Sequence, residues 1–253
     1  MDLPRNAFKH ALAQGHQQLG LWNSIPGPLV AEALATAGFD WIVIDTEHAH
    51  TDIPDTLAML QAMAPYPVSA CVRPAENDPV LIKRVLDLGA QTLVVPYVQN
   101  ADEARAAVAA MRYAPRGIRG VAGMTRAGRF GAVQGYTARA EEELCLIVQV
   151  ETAEALSRVA EIAAVDGVDG LFIGPADLAA SMGLPGQTGH PAVRDAIRDG
   201  IRAIVATGKP AGILAMDDAF ARDCMGWGTT FTAVGMDIAV LVNGVRALAQ
   251  RLR

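Results

Sequence analysis

The stretch LCLIVQVETAEALSRVAEIAAVDGVDGLFIG (144–174) opens and closes on short apolar runs, LCLIVQV (144–150) and GLFIG (170–174). Between them the pattern predicts a helix over 152–163. Two strands joined by a crossover of this length pair in parallel, because a tight hairpin can join only antiparallel neighbours. Runs this uniformly apolar suit strands buried on both faces. Working outward, the same unit recurs. QLGLW (18–22), DWIVID (40–45), PVSACVR (67–73), TLVVP (92–96), PAGIL (210–214) and FTAVG (231–235) read as further strands. Amphipathic stretches lie between and after them. Ile53, Leu57, Leu60 and Met63 recur at helical spacing, as do Val80, Leu81, Val85 and Leu88. A last stripe runs Ile238, Leu241, Val242, Val245, Leu248, Leu252. Eight βα units in 253 residues match an α/β fold of the (β/α)8 barrel type, a single domain over 1–253. An open doubly wound sheet is the alternative, but no GxGxxG follows the first strand, which removes its dinucleotide-binding version.

Composition narrows the function. With 51% hydrophobic and 19% charged residues the chain buries enough surface to fold without help, so disorder is excluded. A net charge of −6 argues against a nucleic-acid or membrane-surface binder, which needs a basic face. No apolar run reaches membrane-spanning length, and MDLPRNAFKH lacks the apolar stretch of a secretory signal, so a cytoplasmic protein is expected. Cys71, Cys145 and Cys224 form no CxxC and read as reduced, buried thiols. One segment breaks the rhythm: residues 112–139 hold six Arg and six Gly with little periodicity. It reads equally as a solvated excursion or as an active-site cover or subunit contact whose arginines face an anion.

In such barrels the reacting groups sit at the C-terminal ends of strands. The run 40–45 leads into Asp45-Thr46-Glu47-His48, and 67–73 ends on Arg73. The run 144–150 carries Gln149 and then Glu151, and 170–174 leads into Pro175-Ala176-Asp177. Each has an ordinary alternative: Glu151 favours a helix dipole, and Asp177 caps a turn. Together, two hard carboxylates with open positions suit Mg²⁺ or Mn²⁺. His48, flanked by Asp45 and Glu47, suits a general base whose pKa or tautomer those acids set. Arg73 offers a fork of donors for a carboxylate or an enolate oxygen. Asp87, late in a helix, reads from spacing alone as a solvated residue. His10, His16 and His190 read as surface residues, and Lys9, Lys83 and Lys209 do not look like buried nucleophiles.

These residues carry a family resemblance. DTEH (45–48), VRPAENDP (72–79), GAQTLVVPYVQNADEA (89–104), PRGIRG (115–120), VQVET (148–152), GVDGLFIGPADLAASMG (167–183) and HPAV (190–193) resemble the HpcH/HpaI family of metal-dependent class II pyruvate aldolases. That family includes aldolases of 4-hydroxy-2-oxoheptanedioate, 2-dehydro-3-deoxyglucarate and hydroxypyruvate/pyruvate. The resemblance runs from about residue 5 to the C-terminus. It implies a TIM barrel of the phosphoenolpyruvate/pyruvate-binding type, with the C-terminal helix exchanged between subunits of a homohexamer built as a trimer of dimers. It implies a divalent ion, Mg²⁺, Mn²⁺ or Co²⁺, on Glu151 and Asp177. His48 is then the base, Arg73 the enolate stabiliser, and Asp87 the residue that raises the basicity of His48. Gln149, Ala176 and Asp177 hold pyruvate, with Asp45 and Glu47 in support. The implied reaction is reversible cleavage of a 4-hydroxy-2-oxo acid to pyruvate, or hydroxypyruvate, and an aldehyde. The segment around Arg126 and Arg129 and the segment AGILAMDDAFARDCMGWG with Trp227 depart from the family pattern and are expected to border the aldehyde pocket. A 2-oxo diacid decarboxylase or a citrate-lyase-like enzyme on the same barrel is the competing reading, and a non-catalytic barrel built for oligomerisation is a third.

Overall fold

A computed structural model describes residues 1–253. Eight strands, β1 (Gln18–Asn23), β2 (Trp41–Asp45), β3 (Ser69–Arg73), β4 (Thr92–Val95), β5 (Cys145–Val150), β6 (Gly170–Ile173), β7 (Ala211–Leu214) and β8 (Thr229–Met236), close a barrel in chain order. Every neighbouring pair is parallel, and β8 returns to β1. All eight runs read from the sequence are present. A residue at every other position faces the same side of a strand, and this period sorts the core into two shells. Ile42, Ile44, Val72, Leu146, Val148 and Ile173 pack outward against the helices. Trp41, Val43, Cys71, Cys145, Ile147 and Phe172 fill the interior.

The interior is an aromatic column. The short N-terminal helix Ala7–Ala13 plugs the barrel floor with Phe8, whose ring lies 5.6 Å from Trp41 and 5.7 Å from Phe231. Above them Phe172 stands 6.1 Å from Phe231 and 5.5 Å from Trp22. Gly20 and Gly212 make room for these rings, because a Cβ there would fall on Trp41 and Phe231 respectively. With the floor closed, the barrel opens only at the C-terminal ends of its strands. The three cysteines are free and buried, as expected.

The helices show where local chemistry overrides periodicity. Ile53–Met63 starts on a reciprocal capping box between Asp52 and Asp55, and Pro79–Asp87 starts on Asp78. The helix expected over 152–163 is instead two short ones, Ala153–Ser157 and Val159–Ala163. The Ser157 hydroxyl donates back to Glu154 O, and Arg158 leaves helical geometry at φ −107°, ψ 11°. The C-terminal helix Asp237–Arg251 leaves Ile238, Leu241, Val245 and Leu248 exposed. Its first residue, Asp237, is buried and accepts from Asn23, Ser24 and Ile25. No helix is long and apolar enough to cross a membrane.

The segment 112–139 joins helix Ala101–Met111 to β5, so it lies at the N-terminal end of the barrel. It does not cover the mouth of its own barrel. It is not a free excursion either. Arg119 is fully buried, pairs with Asp87 at 2.7 Å and stacks over Tyr113 at 4.5 Å. Arg126 donates to Leu88 O at 2.6 Å.

Candidate active site

The side-chain period that fills the interior also carries Asp45, Arg73, Gln149 and Glu151 inward at the open end. Asp45 accepts two bonds from Arg73, Nε to Oδ1 at 3.0 Å and Nη2 to Oδ2 at 2.7 Å. It also accepts from Trp22 Nε1 and from the backbone N–H groups of Glu47 and His48. Burial pushes the Asp45 carboxyl up, but the Arg73 guanidinium and these N–H donors outweigh it and hold it below the usual range. Arg73 Nη1 reaches Glu47 Oε2 at 2.7 Å, and the guanidinium lies 4.9 Å above the Trp22 ring. Two of its five N–H groups are thereby hydrogen-bonded, both to Asp45, while Nη1 makes only a close ion pair with Glu47.

His48 stands on the loop after β2 with its side chain 67% exposed, its Nε2 3.8 Å from Glu47 Oε1. The expectation that Asp45 acts on the imidazole is corrected: the Asp45 side chain reaches only the backbone of His48, because Arg73 and Trp22 occupy it. Glu47 is the acid beside the ring. Burial raises the Glu47 carboxyl; Arg73 and His48 oppose this, while Asp45 and Asp177 add to it.

Glu151 is buried just past β5. Its Oε1 accepts from the Tyr97 N–H at 2.8 Å and its Oε2 from Gln149 Nε2. Burial pushes its carboxyl up to about 7, aided by the charges of Asp177 and Glu47 and opposed by those two donors. Gly174 lies against this pair, and a Cβ there would fall on Glu151 Oε2 and within 2.9 Å of Gln149 Nε2. Gln149 Oε1 is buried without a partner. Ala176 and Asp177 lie in the first turn of helix Pro175–Ser181, whose first internal bond runs from Leu178 N to Gly174 O. Their own N–H groups therefore have no helical acceptor.

This donor set fits a hard divalent cation. The charges of Asp177 and Glu47 raise the Glu151 carboxyl and that of Asp177 raises Glu47, which a cation would relieve, and the buried Gln149 oxygen has no partner of its own. No three His, Cys, Asp or Glu side chains gather around one point, so a cation held by Glu151 and Asp177 would take its other ligands from water or substrate.

Four expected residues lie elsewhere. Helix Pro79–Asp87 runs back from the end of β3 toward the start of β4, so Asp87 sits at the floor end, paired with Arg119. Within one chain it does not reach His48. Trp227 is also at that end, packed on Phe220 at 5.8 Å, and Arg126 and Arg129 belong to the floor segment. Of the regions expected to border the aldehyde pocket, only the end of β7 at Leu214 and the loop after it, to the helix start at Asp217 and Asp218, lie at the mouth. Two site residues escaped the sequence reading. Trp22, one residue before the end of β1, faces inward, which strand parity signals. Tyr97, whose N–H holds Glu151, carries no sequence signal.

Comparison with known proteins gives the family. Residues 18–244 match the model of the HpcH/HpaI aldolase/citrate lyase family. The chain belongs to that family. It is 60% identical to a pyruvate aldolase of Rhizobium etli over 99% of both chains. It is 55% identical to a hydroxypyruvate/pyruvate aldolase of Sagittula stellata, over 99% of this chain and 98% of that one. A solved HpcH/HpaI aldolase/citrate lyase family protein from Burkholderia cenocepacia superposes with a TM-score of 0.94 at 41% identity, over 98% of this chain and 99% of that one. The chain is therefore an enzyme of an aldolase family, a carbon–carbon lyase.

Proposed function

We propose that this family member is a divalent-metal-dependent aldolase, which reversibly cleaves 4-hydroxy-2-oxo acids to pyruvate, or hydroxypyruvate, and an aldehyde. The observation that carries the reading is the paired carboxylates Glu151 and Asp177 at the mouth beside Arg73, clamped between Asp45 and Glu47. Glu151 and Asp177 would hold Mg²⁺, Mn²⁺ or Co²⁺, which when bound supplies Lewis acidity toward a 2-oxo acid. His48, exposed beside Glu47, takes the proton next to the keto group in synthesis and the 4-hydroxyl proton in cleavage. The N–H groups of Arg73 that Asp45 leaves free hold the oxyanion that develops. Gln149 and the free N–H groups of Ala176 and Asp177 orient the acid. No lysine serves as a Schiff-base nucleophile here: Lys9 and Lys209 donate to Leu144 O and Val168 O near the floor, and Lys83 lies within helix Pro79–Asp87.

The test is pyruvate α-proton exchange in D₂O, followed by NMR with each metal and with chelator. Metal-dependent exchange that falls roughly 10²–10⁴-fold in His48→Ala is expected. No exchange from pyruvate or hydroxypyruvate with any metal refutes the reading, and CO₂ release from a 2-oxo diacid in place of aldol cleavage redirects it to a decarboxylase.

We further propose a cytoplasmic homohexamer, a trimer of dimers. The exposed apolar stripe of the C-terminal helix supports an exchanged contact, as do exposed Val121, Met124 and Phe130 on the floor segment. A role for Asp87 on His48 requires a second copy to deliver it. Light scattering during size exclusion tests the assembly.

A further inference from the structure

The β4–β5 ladder is regular up to Val95, which pairs with Val148. The next bond across runs from Val98 N to Gln149 O at 3.0 Å. One strand advances three residues while the other advances one. Pro96 has no N–H to continue the ladder, and Tyr97 takes a left-handed conformation at φ 54°. A bulky aromatic residue in that region is uncommon and is held there only when its surroundings over-determine it. Here they do. Buried Val98 is bonded to β5 on one side, and Gln99 Oε1 accepts from Thr152 Oγ1 at 2.6 Å on the other. The Tyr97 ring makes no compensating burial, being 57% exposed. What the turn achieves is the direction of one N–H: it points across to Glu151 Oε1 at 2.8 Å.

We infer that Tyr97 is a positioning residue for the metal site, acting through its backbone. The left-handed turn fixes one oxygen of Glu151, so that the carboxylate is oriented before a cation arrives. This rests on the metal reading of Glu151 and Asp177 given above. Partners that orient a ligand typically matter 10–100-fold in metal affinity.

The test measures Mn²⁺ affinity from the paramagnetic resonance signal of the free ion, in the parent protein and in variants at this position. Valine resists the left-handed region, whereas glycine and asparagine adopt it. Tyr97→Val is expected to weaken Mn²⁺ binding roughly 10–100-fold. Tyr97→Gly and Tyr97→Asn, which lack the ring but keep the turn, are expected to stay within about threefold of the parent. A purely structural turn would lower the melting temperature of Tyr97→Val and leave the Mn²⁺ affinity of the folded protein unchanged, which overturns the inference. Equal losses in the glycine and valine variants overturn it too, by assigning the effect to the ring. If Tyr97→Val does not fold, Tyr97→Ala replaces it with a smaller loss expected, and equal affinities for Ala, Asn and Gly refute the inference. Parent affinity that survives in Glu151→Gln removes the metal reading itself.

Discussion

Glu151→Gln is expected to stabilise the metal-free protein while abolishing metal-dependent activity. The Glu151 carboxyl is pushed from its ordinary 4.5 up to about 7 by burial and by the charges of Asp177 and Glu47. An acid raised in the folded state binds a proton that the unfolded chain has already lost. Stability therefore falls as pH rises from about 4.5 to about 7, and the full penalty is present above that. At roughly 1.4 kcal/mol per pH unit the difference amounts to about 3 kcal/mol, an upper figure that relaxation of the site reduces to about 1–3. Gln keeps the oxygen that accepts from the Tyr97 N–H and removes the charge. For a chain of this size each kcal/mol moves the melting temperature by about 2–4 °C. Chelator-treated Glu151→Gln should melt about 2–12 °C above the parent at pH 8 and level with it near pH 4.5. Adding Mn²⁺ should then raise the parent's melting temperature and leave the variant's unmoved. A variant that melts below the parent at pH 8, or an offset that ignores pH, would refute the argument that Glu151 is held at a cost until its cation arrives.

Three further outcomes follow from the same geometry. Arg73→Ala leaves Asp45 buried without its cation; chemical denaturation should show a loss of about 3–5 kcal/mol, and proton exchange should fall about 10²–10³-fold. Gly174→Ala puts a methyl group on Glu151 and Gln149, so calorimetry should show Mn²⁺ affinity down at least about tenfold. Leu248→Glu charges the exposed stripe of the C-terminal helix and should shift the assembly to smaller species in light scattering, whereas an unchanged mass would remove that helix from the interface.

The barrel was legible because parallel strands buried on both faces leave unmistakable runs such as LCLIVQV and DWIVID. Strand ends then gave Asp45, Arg73, Gln149 and Glu151, since residues two apart on a strand face one side. What escaped was set by geometry rather than pattern. Asp87 carries the same letter at either end of a helix, and only the direction of Pro79–Asp87 places it at the floor. The break at Arg158 comes from a hydroxyl of Ser157 competing for a carbonyl, inside a stretch whose apolar spacing is helical. The segment 112–139 read as open in two ways because buried Arg119 and exposed Arg129 look alike until a partner is seen. A tyrosine in the left-handed region leaves no trace in composition or spacing.

The aromatic column also gives the enzyme an optical reporter. Of the three tryptophans, Trp41 is sealed in the floor and Trp227 lies against Phe220 at that same end. Trp22 alone touches the reacting end, with the Arg73 guanidinium over its ring and its indole N–H on Asp45. A ligand that draws on Arg73 alters the field at that one chromophore and leaves the other two as a constant background. Occupancy of the mouth can thus be followed by intrinsic emission, in the unlabelled protein and before any carbon–carbon bond is broken.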